Sequence, residues 1–223
     1  MYPVAYSVKH EAVGRNRLTV FFRLILAIPW LIWGSLWGIA VFFTVIGAWF
    51  ALLFTGRYPE GLYEFNASYI RFMARVHSWV WLLVDEWPAF DGSPDPSYPA
   101  RLKVDPPLEE YDRVKVLFRL ILLIPVLILS YIMSLILELI AIVAWFVLVF
   151  TANLPEGLYK PMRAANAYVI KAGAYAMLIT ESFPPIWEDE ADEAPAFEDT
   201  PEAAPPPPPP PAPPSAPPPP AAA

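Results

Sequence analysis

The chain has 223 residues, a formal net charge of −7, two histidines and no cysteine, and it is 57% hydrophobic but only 17% charged. The lack of cysteine excludes a disulfide scaffold, a thiolate metal site and a cysteine nucleophile, and two histidines are too few for a multi-histidine metal centre. Because a typical soluble domain is about 25% charged, this composition predicts a membrane protein with a polar segment attached.

The first predicted element is a short strand over residues 2–8. Val4, Tyr6 and Val8 alternate with Ala5 and Ser7, which is the period of two that is typical of a strand. A similar alternation at 98–104 predicts a second strand. The two strands are expected to pair with each other at the membrane surface.

A long apolar run follows at residues 20–55. A single helix of that length would measure about 54 Å, against roughly 30 Å for the hydrocarbon core of a bilayer. Gly34, Ser35 and Gly38 at the midpoint favour a bend, so the preferred prediction is a helical hairpin with two short spans. The alternative is one long transmembrane helix, kinked at Pro29.

The segment after the apolar run predicts a second kind of helix. Gly56 is suited to end the apolar helix. Residues 62–84 then mix Arg71 and Arg75 with aromatic and aliphatic side chains, a pattern that predicts an amphipathic helix in the headgroup region.

The whole arrangement recurs 96 residues later without a gap. Arg-Leu-Ile-Leu at 23–26 recurs at 119–122, and Pro-Glu-Gly-Leu-Tyr at 59–63 recurs at 155–159. An ungapped register of this length indicates internal duplication. The chain therefore divides into a first membrane repeat, a second membrane repeat and a tail, at 1–92, 93–187 and 188–223.

The second apolar run, 116–151, is expected to form the same hairpin, with a kink at Pro125 as the alternative. It holds Glu138, an acid whose equivalent in the first copy is Phe42. A carboxylate at the centre of a membrane span costs about 3 kcal/mol. Glu138 is therefore a candidate intramembrane acid that carries a proton or binds a cation, or else it faces water near the bend.

Basic side chains flank both apolar runs. A hairpin places all of them on one side, which the positive-inside tendency makes the cytoplasmic side, together with both termini. For Arg23 and Arg119, a grip on lipid phosphate and ordinary snorkelling are both open. The candidates for contact with lipid headgroups or the interface are Arg23, Arg119, Arg57, Arg71, Arg75 and Lys171.

The tail at 188–223 begins with acidic residues and continues as almost pure proline and alanine. Without the eight acids between Glu188 and Glu202, the chain has 15 basic and 22 − 8 = 14 acidic residues. A proline and alanine run cannot form a packed core, so an extended, disordered segment is predicted. It is either a ligand for a proline-binding partner in the cytoplasm or a solubilising spacer.

Several motifs resemble a known family. Arg-Leu-Ile-Leu-x-Ile-Pro, Trp-Phe, Phe-Thr-Gly-Arg-Tyr-Pro-Glu-Gly-Leu and a closing Trp-Pro-x-Phe are similar to the bacterial membrane family catalogued as domain of unknown function 4389. The resemblance covers residues 2–90 and again 98–186; the second copy departs at 152–154, where the first has Gly-Arg-Tyr. The resemblance implies a bacterial cell-membrane protein and transfers no catalytic residue; the two predicted hairpins make it a multi-pass protein of the cytoplasmic membrane.

The predicted fold is mainly α: an integral membrane protein of two tandem repeats, each with a short strand, an apolar hairpin or kinked helix, and an amphipathic interfacial helix. No catalytic residue, cofactor or metal is predicted. A nucleic-acid partner is not predicted either, because the basic groups are spread along segments that flank the membrane. The first functional hypothesis is a non-enzymatic anchor or scaffold in the lipid bilayer whose tail recruits a cytoplasmic protein. The alternative is a small transporter or channel component, with Glu138 lining its path and a homo-oligomer as its assembly.

Overall fold

The two predicted strands pair as an antiparallel sheet in a computed structural model that describes residues 2–186. Tyr6 pairs with Leu102, which lies 96 residues later and is therefore its equivalent in the second repeat. Val4 pairs with Val104, the equivalent of Val8. This register relates the two repeats by a pseudo-twofold axis that passes perpendicular to the sheet between Tyr6 and Leu102.

The other described elements are helices, and they follow the same order in both repeats. The first repeat contains β1 (Val4–Val8), α1 (Arg17–Phe21), α2 (Arg23–Leu26), α3 (Ile28–Thr55) and α4 (Glu60–Val80). The second contains β2 (Ala100–Val104), α5 (Arg113–Leu117), α6 (Arg119–Thr151) and α7 (Glu156–Ala176). The predicted tail lies outside the described residues.

Equivalent residues begin and end the apolar helices of the two repeats. Asn16 caps α1 by accepting hydrogen bonds from two backbone N–H groups, and Asp112 caps α5 in the same way. Gly56 ends α3 in the left-handed conformation, as predicted, with φ of 72°. Ala152 ends α6 with φ of 59°, so the second repeat keeps this conformation without a glycine.

The prediction of a helical hairpin in each apolar run is wrong. The first run is a continuous helix after a break at Ala27, and the second continues through Pro125. Gly34 and Gly38 do not bend α3 but let α4 approach it: a Cβ on Gly38 would lie 2.9 Å from the Tyr69 hydroxyl. Small residues at mid-helix therefore serve close packing here, and the alternative of one long helix per repeat holds.

The amphipathic helices α4 and α7 are core helices, which corrects the prediction of two interfacial helices. Each packs along the long helix of its own repeat, against the strand of the other repeat, and against the other amphipathic helix. Phe72 and Trp79 of α4 and Tyr175 of α7 have no exposed surface. The apolar side chains of these helices therefore form the centre of the protein rather than a lipid contact.

The two apolar segments run in opposite directions. We call α1–α3 the first leg and α5–α6 the second leg. The Trp145 indole donates a hydrogen bond to the Val20 carbonyl (3.1 Å), and the Trp49 indole donates one to the Val116 carbonyl (2.8 Å). Because each leg starts beside the end of the other, the legs are antiparallel. The fold thus has three layers: the sheet, α4 with α7, and the two legs.

Candidate functional site

The outward side of the two legs is mainly apolar, and we call this surface the apolar face. Helices α3 and α6 are both long and apolar enough to cross a membrane, and only 17% and 11% of their most apolar windows are buried in the fold. The exposed side chains of the apolar face include Leu24, Ile32, Leu36, Ile39, Phe43, Phe54, Leu120, Ile128, Leu135, Leu139 and Phe150. Within residues 2–186, these side chains remain exposed on the folded protein.

Arg23 and Arg119 lie inside the protein, so their predicted contact with lipid phosphate is replaced by protein contacts. Arg23 is 1% exposed, donates to the Val84 carbonyl (3.4 Å) and the Asp85 carboxylate, and stacks over Trp79 at 4.6 Å. Each guanidinium thereby joins the start of its apolar run to the segment after α4 or α7.

Arg119 repeats this arrangement at equivalent positions. It donates to the Thr180 carbonyl and lies 3.5 Å from the ring centroid of Tyr175. We call the two arrangements the arginine clamps. The partners of the two guanidiniums were not predicted from the sequence, although the repeat aligns Asp85 with Glu181 and so marks a shared acidic position.

A second arginine reinforces the first clamp. Arg15 donates to the carbonyls of Leu82 (3.2 Å) and Leu83 (2.5 Å), and its Nη1 lies 3.2 Å from Glu11 and 3.5 Å from Asp85. Burial lowers the pKa of Arg15, while the two carboxylates oppose that shift. The charges of this cluster are therefore compensated within the protein.

The remaining predicted headgroup candidates occupy different surroundings. Arg57 is exposed at the end of α3, whereas Arg71 pairs with Glu64 at 2.7 Å. Arg75 is buried and donates to the carbonyl of Ser93.

Lys171 is 1% exposed and lies 5.2 Å from the ring centroid of Tyr2. Of the six predicted basic residues, Arg57 is thus the one that is exposed on the protein surface.

Glu138 is exposed at the middle of α6, at the edge of a cleft between the repeats. The cleft has a volume of about 380 Å³ and an otherwise mainly apolar lining that includes Leu24, Trp81 and Ile142. Arg23 and Glu138 are the charged residues of this lining, so the cleft carries no net charge that would select a cation. Within residues 2–186, no cluster of three or more His, Asp or Glu side chains is arranged to hold a metal ion.

Tryptophans of α3 hold the segment after α4 against the long helix. The indoles of Trp30 and Trp33 donate to the carbonyls of Pro88 and Phe90, each at 2.8 Å. Beside them, a cleft of about 480 Å³ is lined mainly by aromatic side chains and reaches Asp91. These two hydrogen bonds fix the start of the connection after α4 to the first turns of α3.

The comparisons with known proteins identify a family. Residues 17–91 and 113–188 each match the family described as Domain of unknown function (DUF4389). No curated protein and no solved structure matches the chain. The two matched regions coincide with the helical parts of the two repeats and together cover more than half of the chain. The protein therefore belongs to the DUF4389 family and carries two tandem copies of its domain.

Proposed function

We propose that this protein is a non-enzymatic membrane anchor whose tail at 188–223 recruits a cytoplasmic partner. The observation that carries the proposal is the apolar face. Monomeric soluble proteins rarely expose contiguous apolar patches larger than a few hundred Å². Here both legs expose many apolar side chains, and side chains such as Leu24 and Phe54 are more than 70% exposed.

Transfer of this surface to lipid supplies a large free energy. Burying a fully exposed Leu, Ile or Phe side chain is worth about 1.5–3 kcal/mol. The exposed row includes Leu36, Ile39 and Phe43 on α3 alone. The two legs together expose many such side chains, and their combined burial holds the protein on a membrane, so the two legs act as the anchor in this proposal.

The tail is the proposed recruiting segment because of its composition. It concentrates eight acids and a proline-rich run beyond a nearly neutral body. Proline-rich segments are extended and lose little entropy when an aromatic groove binds them. In the proposal, the folded repeats hold this segment at the membrane and leave it accessible to a soluble partner.

The anchor is tested by placing charge on the apolar face. We expect Leu36→Glu with Phe43→Glu to reduce by tenfold or more the fraction of protein that stays in membranes after an alkaline wash. Ala12→Glu with Ala89→Glu adds the same charge at exposed positions elsewhere and should leave that fraction unchanged. Equal retention of both variants would overturn the proposed anchor.

The recruiting role is tested by deleting residues 188–223 or replacing 203–223 with a Gly/Ser segment of equal length. We expect both variants to stay in the membrane and to lose the same co-purifying protein. That protein should also bind a synthetic peptide of the tail. Identical co-purification with and without the tail would exclude recruitment.

A further inference from the structure

We propose that the two legs lie in the plane of the membrane, immersed in one leaflet, rather than crossing the bilayer. The inference rests on the proposed membrane anchor and specifies its orientation. The occupant of the apolar face is then the acyl-chain region of a single leaflet. The sheet and the polar connections face the water on the same side.

The symmetry of the fold supports this orientation. A twofold rotation reverses a helix that is perpendicular to the axis and leaves unchanged the direction of a helix parallel to it. The legs are antiparallel, as the contacts of Trp49 and Trp145 show, so they lie roughly perpendicular to the pseudo-twofold axis. The sheet is perpendicular to the same axis. The legs therefore form one layer that is parallel to the sheet and lies on the other side of α4 and α7.

The chain that follows α4 lies beside the first leg from the start of α3 to its middle. Near the start of α3, Trp33 bonds to Phe90. The chain then continues over α4, where Gly92 lies so close to Ser68 that a Cβ would overlap the Ser68 carbonyl. The next residues include the exposed side chain of Ser93.

This covering segment reaches the level of the middle of α3. Ser68 lies on α4 between Asn66, whose amide oxygen accepts a hydrogen bond from Thr44 (2.6 Å), and Tyr69, which contacts α3 at Gly38. If α3 crossed the bilayer, the exposed carboxylate of Asp91 and the non-helical backbone around Ser93 would lie near the hydrocarbon centre. Such groups cost several kcal/mol each in lipid.

The length of the apolar face agrees with an in-plane orientation. Helix α3, with 28 residues, measures about 42 Å and helix α6, with 33 residues, about 50 Å, and both exceed a hydrocarbon core of roughly 30 Å. A crossing helix would leave exposed side chains such as Leu24 or Phe54 in water. An in-plane helix has no such limit, because its whole length lies at one depth.

The charges at the ends of the legs complement anionic phosphates. Arg17 at the start of the first leg and Arg57 and Arg113 at its other end are exposed. A crossing helix would place Arg17 and Arg57 on opposite sides of the membrane. An in-plane leg places both on one side, which satisfies the positive-inside tendency that the sequence shows before and after each apolar run.

Nitroxide depth measurements test the orientation on the full chain. The chain lacks cysteine, so Leu24→Cys, Ile39→Cys and Phe54→Cys each give a single site for a spin label on the apolar face. The proteins are reconstituted in vesicles of phosphatidylglycerol and phosphatidylethanolamine, and accessibility to oxygen and to a water-soluble nickel chelate gives the depth. We expect all three labels within about 5 Å of one depth, roughly 5–10 Å below the phosphates.

Three other outcomes would overturn the inference. A crossing helix would put Ile39→Cys about 15 Å deeper than the end labels, since half of a hydrocarbon core is roughly 15 Å. Labels shielded from both reagents and broadened by spin–spin coupling would show that a second copy covers the face. Vesicles that do not bind the protein would refute the anchor itself, whereas a depth gradient in bound protein would refute only the orientation.

Discussion

The arginine clamps show how the fold accommodates charge beside its apolar segments. Arg23 and Arg119 begin runs of apolar residues, yet both guanidiniums point into the protein and bind a carbonyl, with an aromatic ring beneath each. Arg23 also shares the Asp85 carboxylate with Arg15. A buried charge is tolerated only when it is paired and hydrogen-bonded, so the first clamp depends on the carboxylate of Asp85.

Asp85→Asn tests the first clamp. The substitution leaves two buried guanidiniums beside a neutral amide, and breaking a buried pair in this way costs about 3 kcal/mol. We expect the free energy of unfolding in detergent to fall by about that amount. Glu86→Gln changes the neighbouring exposed acid and should have little effect. Equal stability of the two variants would show that Asp85 does not hold the clamp.

The connection between α4 and β2 is held in place along much of its length, because it packs against α3 and α4. Two indoles of α3 bind its start, and Arg75 binds the Ser93 carbonyl near its middle. Gly92 permits the closest approach, against the Ser68 carbonyl of α4. A glycine is required there because any side chain would meet backbone, which cannot rotate away.

Gly92→Ala is therefore expected to detach part of this connection. Overpacking against backbone destabilises by about 2 kcal/mol, and cleavage of the 91–97 segment by a protease should become faster. Gly61→Ala is the matched control, because Gly61 lies in α4 with open space around it. That variant should be neutral or stabilising by about 0.5 kcal/mol. A Gly92 variant as stable and protease-resistant as the control would contradict the close contact.

The two repeats form a single folded unit because each completes the other. The strand of each repeat packs on the amphipathic helix of the other, and the start of each leg packs against the end of the other. Tyr6 illustrates the exchange: its hydroxyl bonds to Ser78 of its own repeat and accepts a hydrogen bond from Asn166 of the second, at 2.6 and 2.8 Å. One repeat alone would leave these surfaces uncovered.

Splitting the chain after Pro96 tests this interdependence. We expect the 1–96 and 97–223 fragments to co-purify in detergent when expressed together, and neither to give a stable folded protein alone. Tyr6→Pro removes a ladder hydrogen bond and the buried hydroxyl, so it should reduce co-purification at least tenfold. Ser35→Ala changes an exposed side chain of α3 and should leave the co-purification of the two fragments unchanged. Fragments that fold separately would refute the interdependence.

The duplication, the two strands, the apolar runs and the helix end at Gly56 were predictable from sequence. Each depends on neighbouring residues: a period of two, a continuous apolar stretch, or a glycine that tolerates positive φ. The ungapped register also predicted that equivalent residues would take equivalent places, as Asn16 and Asp112 do. These local signals were sufficient for the element types and for family membership.

What only the tertiary structure decided concerns partners that are distant in sequence. Gly38 favours a bend when its neighbours alone are considered, but Tyr69 of α4 explains it as a point of close packing. From the sequence alone, Arg23 is a suitable ligand for a lipid headgroup. In the fold it instead binds Val84 and Asp85, which lie about 60 residues away. The amphipathic pattern of α4 is equally compatible with a lipid surface and with a protein core. Only the fold decides between them, because the free energy of burying an apolar side chain depends on the area removed from water and not on what covers it.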